Sequence, residues 1–336
     1  MNVSNGTSGT CQTVICADKD GRQFVVPILK YTFEIDANGT ARLAEQQSPI
    51  DLVDTYYGED GATSSIRRPS QLFEQKPGTD VILIAEAHPP LGREAAHTDV
   101  MLHVGPVRKI VRAYGFRVWQ TAAMGGLTPG PAMPIRKPVP LIYELAWGGQ
   151  DLSVPERPLA EPRNYVGRGV SHRPKDLVGQ PAPQLEDPDH PIGSRDSSPA
   201  AFGAIHRHWQ PRMSYAGTYD AAWKDVRMPL LPEDFDTMYH VCVPEDQWSR
   251  TPLRSDEPIE VLGVVPEGSI RCQLPRLAPG FSSVVAGRRQ DHRTHLDTIL
   301  VNAVERQIEL TWRAAIPMPK KLEMLERIRV VEKQVL

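Results

Sequence analysis

Histidines and carboxylates two residues apart are the natural starting point for chemistry, because alternate residues of a strand project from the same face. His295 and Asp297 have this spacing within Asp291-His292-Arg293-Thr294-His295-Leu296-Asp297, and they would serve as a metal or acid-base pair. Arg288, Arg289 and Arg293 surround them. Like-signed neighbours discourage a divalent cation, which makes an exposed loop end the plainer reading. His97, Asp99 and His103 also alternate. Six residues of strand, however, put the two histidines about 20 Å apart, too far to share a metal. His206 and His208 could project together, but no nearby cysteine or carboxylate completes a tetrahedral site. Asp234, Asp236, Glu245 and Asp246 form a carboxylate group of the kind that runs glycoside hydrolysis. Leu231-Pro232-Glu233-Asp234 reads more simply as a proline-started turn, with acids placed favourably at its N-terminus.

Other site signatures are missing. The sequence has no G-x-x-x-x-G-K-[ST] loop, G-x-G-x-x-G, H-E-x-x-H or G-x-S-x-G. No cofactor or metal is expected. Cys11, Cys16, Cys242 and Cys272 make no metal-like pairing and are too sparse for a disulfide framework, so they read as free thiols. With 38 basic and 41 acidic residues the formal charge is −3, which makes nucleic acid and anionic membrane surfaces poor partners. No run approaches the roughly 18 apolar residues of a membrane span. The opening MNVSNGTSGT lacks the basic-then-apolar pattern of a signal peptide, so the expected location is cytoplasmic.

The elements that must hold these residues are mostly strands. Leu29, Tyr31, Phe33 and Ile35 alternate with Lys30, Thr32 and Glu34 before an Asn38-Gly39 turn. Val81 to Ala87 is a short apolar run that reads as a strand covered on both faces. Val100, Leu102 and Val104 lead through Gly105-Pro106 into Val107 to Val111, a hairpin pattern, and Phe116 to Gln120 and Val139 to Ala146 are further strand candidates. Ile259 to Val265 and Ile270 to Leu274 make a second hairpin around Pro266-Glu267-Gly268. The clearest strand places Ile308, Leu310, Trp312 and Ala314 toward a core, with Gln307, Glu309, Thr311 and Arg313 toward water. From Lys320 to Leu336 the period changes: Met324, Leu325, Ile328, Val331 and Val335 form one stripe of an amphipathic helix.

Of the 32 prolines, 15 lie between Leu127 and Pro211, and Gln150 to Ala200 shows no apolar period. That stretch is expected to be an irregular insertion or flap, hinged at Gly148-Gly149 and Gly167-Arg168-Gly169. The predicted organisation is a flexible segment over 1–22 and one β-rich domain over 23–336, with the insertion at about 150–200. The fold class is mainly β, in antiparallel sandwich-like or barrel-like sheets, with the C-terminal amphipathic helix.

One block returns to aromatic density. Trp209-Gln210-Pro211-Arg212, then Ala216-Gly217-Thr218-Tyr219-Asp220-Ala221-Ala222-Trp223, then Leu231-Pro232-Glu233-Asp234-Phe235-Asp236 resembles the signature of domain-of-unknown-function family 2169. The similarity extends upstream to Thr79-Asp80-Val81 and Tyr143-Glu144-Leu145-Ala146-Trp147-Gly148-Gly149, and downstream to Pro244-Glu245-Asp246-Gln247, Leu296-Asp297-Thr298 and Trp312-Arg313. The resemblance implies a non-enzymatic role as a cytoplasmic adaptor or chaperone in type VI secretion. Its partners would be a secreted effector, often bearing a PAAR tip, and components of the VgrG/PAAR spike. No catalytic residue is carried over.

Read as residues, the block has local jobs as well. Gly217 permits positive φ, and Thr218 or Asp220 would cap a short helix from Ala221 to Val226 with Trp223 as its buried ring. Arg212 would pair with Asp220 or Asp236, or stack on Trp209. The partner-binding candidates are therefore Trp209, Pro211, Arg212, Gly217, Thr218, Tyr219, Asp220 and Trp223, together with Gly148, Gly149, Gly167, Arg168 and Gly169. The alternatives are a hydrolase using the Asp and His residues above, or a carbohydrate-binding β module.

Overall fold

Strand alternation dominates the chain and yields three main sheets. The structure, a computed structural model, describes residues 2–333 apart from Pro90, Gly92, Arg195 and Lys320. The largest sheet has eight strands. Its main path runs Trp248–Ser249, Thr79–Ile84, His295–Asn302, Gln307–Arg313, Gln23–Ile35 and Thr10–Ala17, and Ala41–Leu43 and Ile316–Pro317 pair further along Gln23–Ile35. A five-stranded sheet runs Leu185–Glu186, Val107–Tyr114, His97–Val104, Pro258–Leu262 and Ser269–Gln273, so both expected hairpins sit side by side in it. A four-stranded sheet runs Asn2–Gly6, Leu325–Lys333, Ala278–Val285 and Arg288–His292. The fold is mainly β, and no sheet closes into a barrel among the described residues.

Leu29, Tyr31, Phe33, Val81, Leu83, Ile299, Val301, Ile308, Leu310 and Trp312 share one buried cluster with Val100, Leu102, Val104, Val111, Ile259 and Val261. The eight- and five-stranded sheets thus bury their apolar faces in a common core. Burial of this kind is the main stabilising term, worth roughly 25 cal/mol per Å² of apolar surface.

Several expectations need correction. Pairing is not purely antiparallel: Thr79–Ile84 lies parallel to His295–Asn302, and Asn2–Gly6 parallel to Leu325–Lys333. The first residues are not a loose lead, because Asn2–Gly6 and Thr10–Ala17 each join a sheet.

The C-terminal helix is a strand. Leu325–Lys333 pairs with Ala278–Val285, and a register shift puts Val284 opposite Arg327 but Val285 opposite Leu325. This bulge absorbs Glu326, so Leu325 reaches the same buried layer as Ile328 despite a three-residue spacing that mimics a helix. Ile328 and Val330 are buried while Arg327 and Arg329 are exposed, a period of two, and the β-branched residues favour it. Val335 lies outside the described residues.

Nor is 150–200 a separate insertion. Asn164, Ala182 and Leu185 are fully buried, Ala200 nearly so, and Arg117 forms a buried ion pair with Glu186.

The polar face of Gln307–Arg313 does not meet water. Glu309, Thr311 and Arg313 are buried, as are Lys30, Thr32, Asp80, Thr298 and Asn302 on the same face of the sheet. Segments 44–76 and 200–250 cover them. Lys30 Nζ lies 2.6 Å from Asp51 and 3.1 Å from Glu309, and Arg68 bridges the same two carboxylates at 2.8 and 2.5 Å. Burial opposes ionisation of Asp51, yet Arg68 and Lys30 outweigh it and hold its pKa below the usual carboxylate value.

Candidate functional site

The block from Trp209 to Asp236 leaves the core at one end and becomes an exposed arm at the other. Trp209 is fully buried, edge-on to Tyr143 at 5.4 Å. Arg212 is also buried, but neither acid pairs with it: Nη1 donates to the Ile205 carbonyl at 2.7 Å, Nε to the Tyr239 carbonyl at 3.1 Å, and the guanidinium lies 5.5 Å from the Tyr239 ring. Burial lowers its pKa. Arg212 therefore fastens the root of the arm to two loops, whereas Pro211 beside it is exposed.

Beyond the root, local hydrogen bonds shape the arm. Gly217 has φ +83, and a Cβ there would sit 2.7 Å from the Pro232 side chain. The turn delivers the Thr218 amide and hydroxyl to the Asp234 carboxylate at 2.9 and 2.7 Å. These bonds hold Asp234 below its ordinary pKa. Asp220 accepts from the Trp223 amide at 2.8 Å and so caps the helix Ala221–Val226. Asp236 likewise accepts from Met238 at the start of the Thr237–His240 turn. Six residues cannot sustain a helix alone. Arg227 clamps its end, reaching the Lys19 carbonyl at 3.0 Å and Asp20 at 2.9 Å.

This scaffold presents apolar side chains outward. Val226 is 88% exposed, Met228 59%, Met213 54% and Tyr219 53%. Trp223 is half-buried rather than a core ring; its Nε1 donates to the Leu230 carbonyl at 2.8 Å, and it meets Tyr219 edge-on at 4.7 Å. A concavity of about 430 Å³ opens between the helix and the Pro232–Asp234 turn.

The glycine group is a knot rather than a pair of hinges. Trp147–Gly148 pairs in parallel with Arg168–Gly169, around the fully buried Asn164. Asn164 Nδ2 donates to the Tyr143 and Trp147 carbonyls, both at 2.9 Å. A Cβ at Gly148 or Gly167 would collide with Asn164, so close packing explains these glycines, and Gly149 likewise abuts the Gly167 carbonyl. Arg168 is half-buried, and burial lowers its pKa. The two motif groups meet where Trp209 touches Tyr143 and the Gln210 amide donates to the Pro162 carbonyl at 2.8 Å.

Sequence reasoning missed a groove of about 520 Å³ beside Gly169, where Trp119 and Trp147 meet edge-on at 6.2 Å against Leu127, Leu159 and Val170. Trp119 lay in a strand candidate and Trp147 in the family block, but nothing local shows that the two rings converge.

The candidate chemical groups are occupied otherwise. Asp297 sits at a bulge in its strand, fully buried against the Arg313 guanidinium, while His295 Nε2 donates to the Lys76 carbonyl at 3.1 Å. The expected shared face is therefore lost. Asp99 pairs with Arg112 at 2.6 Å. His206 and His208 do come together, with ring centres 5.0 Å apart, but His206 is held by the Ser64 carbonyl at 2.9 Å. Among the described residues no group of three or more His, Cys, Asp or Glu is placed to hold a metal ion.

The family described as an uncharacterized protein conserved in bacteria, DUF2169, matches residues 20–313. The chain belongs to DUF2169. The match spans both the buried polar layer and the arm. No curated protein matches the chain. No solved structure matches it either. No helix among the described residues is long and apolar enough to cross a membrane.

Proposed function

We propose that this DUF2169 protein is a cytoplasmic adaptor or chaperone that binds a type VI secretion effector, PAAR-type or similar, and assists its loading onto the VgrG spike. The observation that carries the reading is the arm: a fastened, capped scaffold that holds Val226, Met228, Met213 and Tyr219 toward solvent, with Trp223 half-buried beside them. Apolar surface displayed on a rigid support marks interaction sites, and tryptophan and tyrosine are the usual anchors of such interfaces. The pathway itself rests on the resemblance of the ordered motif blocks. Stable capture needs an interface above about 1,000 Å², so the arm would anchor a wider footprint. The roles open to Asp234 and Asp236 also favour binding over hydrolysis, since both serve turns and caps.

The test is co-purification of the full chain with the product of the adjacent effector gene. The wild type should retain the effector through gel filtration, and Val226→Glu and Met228→Glu, both at exposed side chains, should lose it while keeping the wild-type melting temperature. Equal capture by both variants would remove the arm from the reading. The groove beside Trp147 favours one second reading, a carbohydrate-binding module, because a partly exposed indole backed by the buried Trp119 can stack on a sugar; a glycan array with Trp147→Ala as control separates the two.

A further inference from the structure

A second cleft, of about 410 Å³, lies at the end of the eight-stranded sheet, remote in sequence from the arm. Its lining includes Lys76, His292, Arg293, His295 and Arg313, and no aspartate or glutamate. The acids that neutralise the two buried cations stand elsewhere: Asp80 lies 2.5 Å from Lys76 Nζ, and Asp297 holds the Arg313 Nε. Arg313 spends its Nη1 on the Gln71 and Phe73 carbonyls, both at 2.8 Å, and stacks over the Phe73 ring at 3.6 Å, but its buried Nη2 has no partner. A buried guanidinium nitrogen left unpaired is costly, which makes it a marker worth explaining. At the rim, Arg293 is exposed and makes no ion pair among the described residues. His292 is fixed by the Ser283 hydroxyl at 2.8 Å and His295 by the Lys76 carbonyl, so both rings are oriented before any ligand arrives.

We propose that this cleft binds a small organic anion bearing a carboxylate or phosphate group, with Arg293 as the charged contact at the rim and the two histidines as its oriented polar walls. The volume lies within the range of small-molecule sites, roughly 300–1,000 Å³. Arginine suits the ligand because its planar fork matches the geometry of both oxyanions. Asp80 and Asp297 neutralise Lys76 and Arg313, so among the described lining residues Arg293 supplies the uncompensated positive charge of the cleft. The proposal stands independently of the arm.

The test uses the full chain with inorganic phosphate and with succinate, each compared with sodium chloride at matched ionic strength, followed by thermal unfolding and isothermal titration. At least one probe should raise the melting temperature in a saturable way beyond the chloride control. Arg293→Glu, at an exposed position, should keep the ligand-free melting temperature and weaken binding at least tenfold. The probe that binds more tightly assigns the anion as phosphate-like or carboxylate-like. Absence of any shift beyond chloride for both probes, or an identical shift in Arg293→Glu, would overturn the proposal.

Discussion

The layer over the eight-stranded sheet and the arm from Met213 to Leu230 distribute their side chains in opposite ways. In the layer, Lys30, Asp80, Asp297, Glu309 and Arg313 are buried. In the arm, Val226, Met228, Met213 and Tyr219 are exposed. Charges inside are tolerated only when paired and hydrogen-bonded, and here each cation reaches across from the sheet to a covering loop or to a neighbouring strand. Their work is to fix where segments 44–76 lie. The arm's fastening is polar too, through Asp220, Asp234 and Arg227, but its apolar groups are left over once the local structure is satisfied. Interior polarity thus specifies the architecture, whereas exterior apolarity is available for a partner.

The contrast can be broken most severely by deleting 150–200. If the segment were a flap, unfolding would stay cooperative; because Asn164 and Leu185 belong to the core, loss of a cooperative transition in calorimetry is expected. Next comes Arg313→Met, which strands Asp297 as a buried charge and should cost about 3–5 kcal/mol in denaturant unfolding. Adding Asp297→Leu should recover much of that loss, as replacement of a buried pair by apolar groups often does.

Acid probes the same layer. The folded pKa values of Asp51 and Asp297 lie below the ordinary one, because burial opposes their ionisation less than Arg68, Lys30 and Arg313 favour it. Their stabilisation is therefore complete above the unfolded carboxylate pKa of about 3.9 and is lost as pH falls through the folded values. Thermal unfolding followed downward from pH 6 should show a falling melting temperature, and the fall should be shallower in the double variant Arg313→Met/Asp297→Leu, which keeps only the Asp51 contribution of the two.

Smaller effects sharpen the other side. Asn164→Ala removes the donor that ties the Tyr143 and Trp147 carbonyls, and should cost about 1–3 kcal/mol. Asp220→Ala removes the helix cap, at about 1 kcal/mol, seen as faster amide exchange at Trp223 before any global change. Val226→Glu should leave stability within about 0.5 kcal/mol, since the side chain is already in water. A large loss there would show that the arm packs on something within the chain.

Much of the sheet framework was legible in the residues. The alternation of Leu29, Tyr31 and Phe33, the Gly105-Pro106 turn and the run from Val81 all led to strands in the expected places. The cap at Asp220 and the positive φ of Gly217 were legible for the same reason: each is a local preference of one residue type. Arg212 was not, because its acceptors are backbone carbonyls of Ile205 and Tyr239, and every residue offers a carbonyl. The glycines looked like hinges because a sequence does not reveal that Asn164 fills the space they vacate.

Period and residue type alone determined that the chain is mainly β, which side chains share a face in the strands without bulges, and where several turns fall, since these depend on backbone geometry within a few residues. Tertiary structure decided what covers each face. Only the covering segments turn Glu309 and Arg313 from surface groups into buried ones, and only pairing with Ala278–Val285 makes the three-residue spacing at Leu325 a bulged strand in place of a helix. The reason is physical: a spacing states which residues lie together, but burial and pairing depend on partners from tens to hundreds of residues away, which no local pattern encodes.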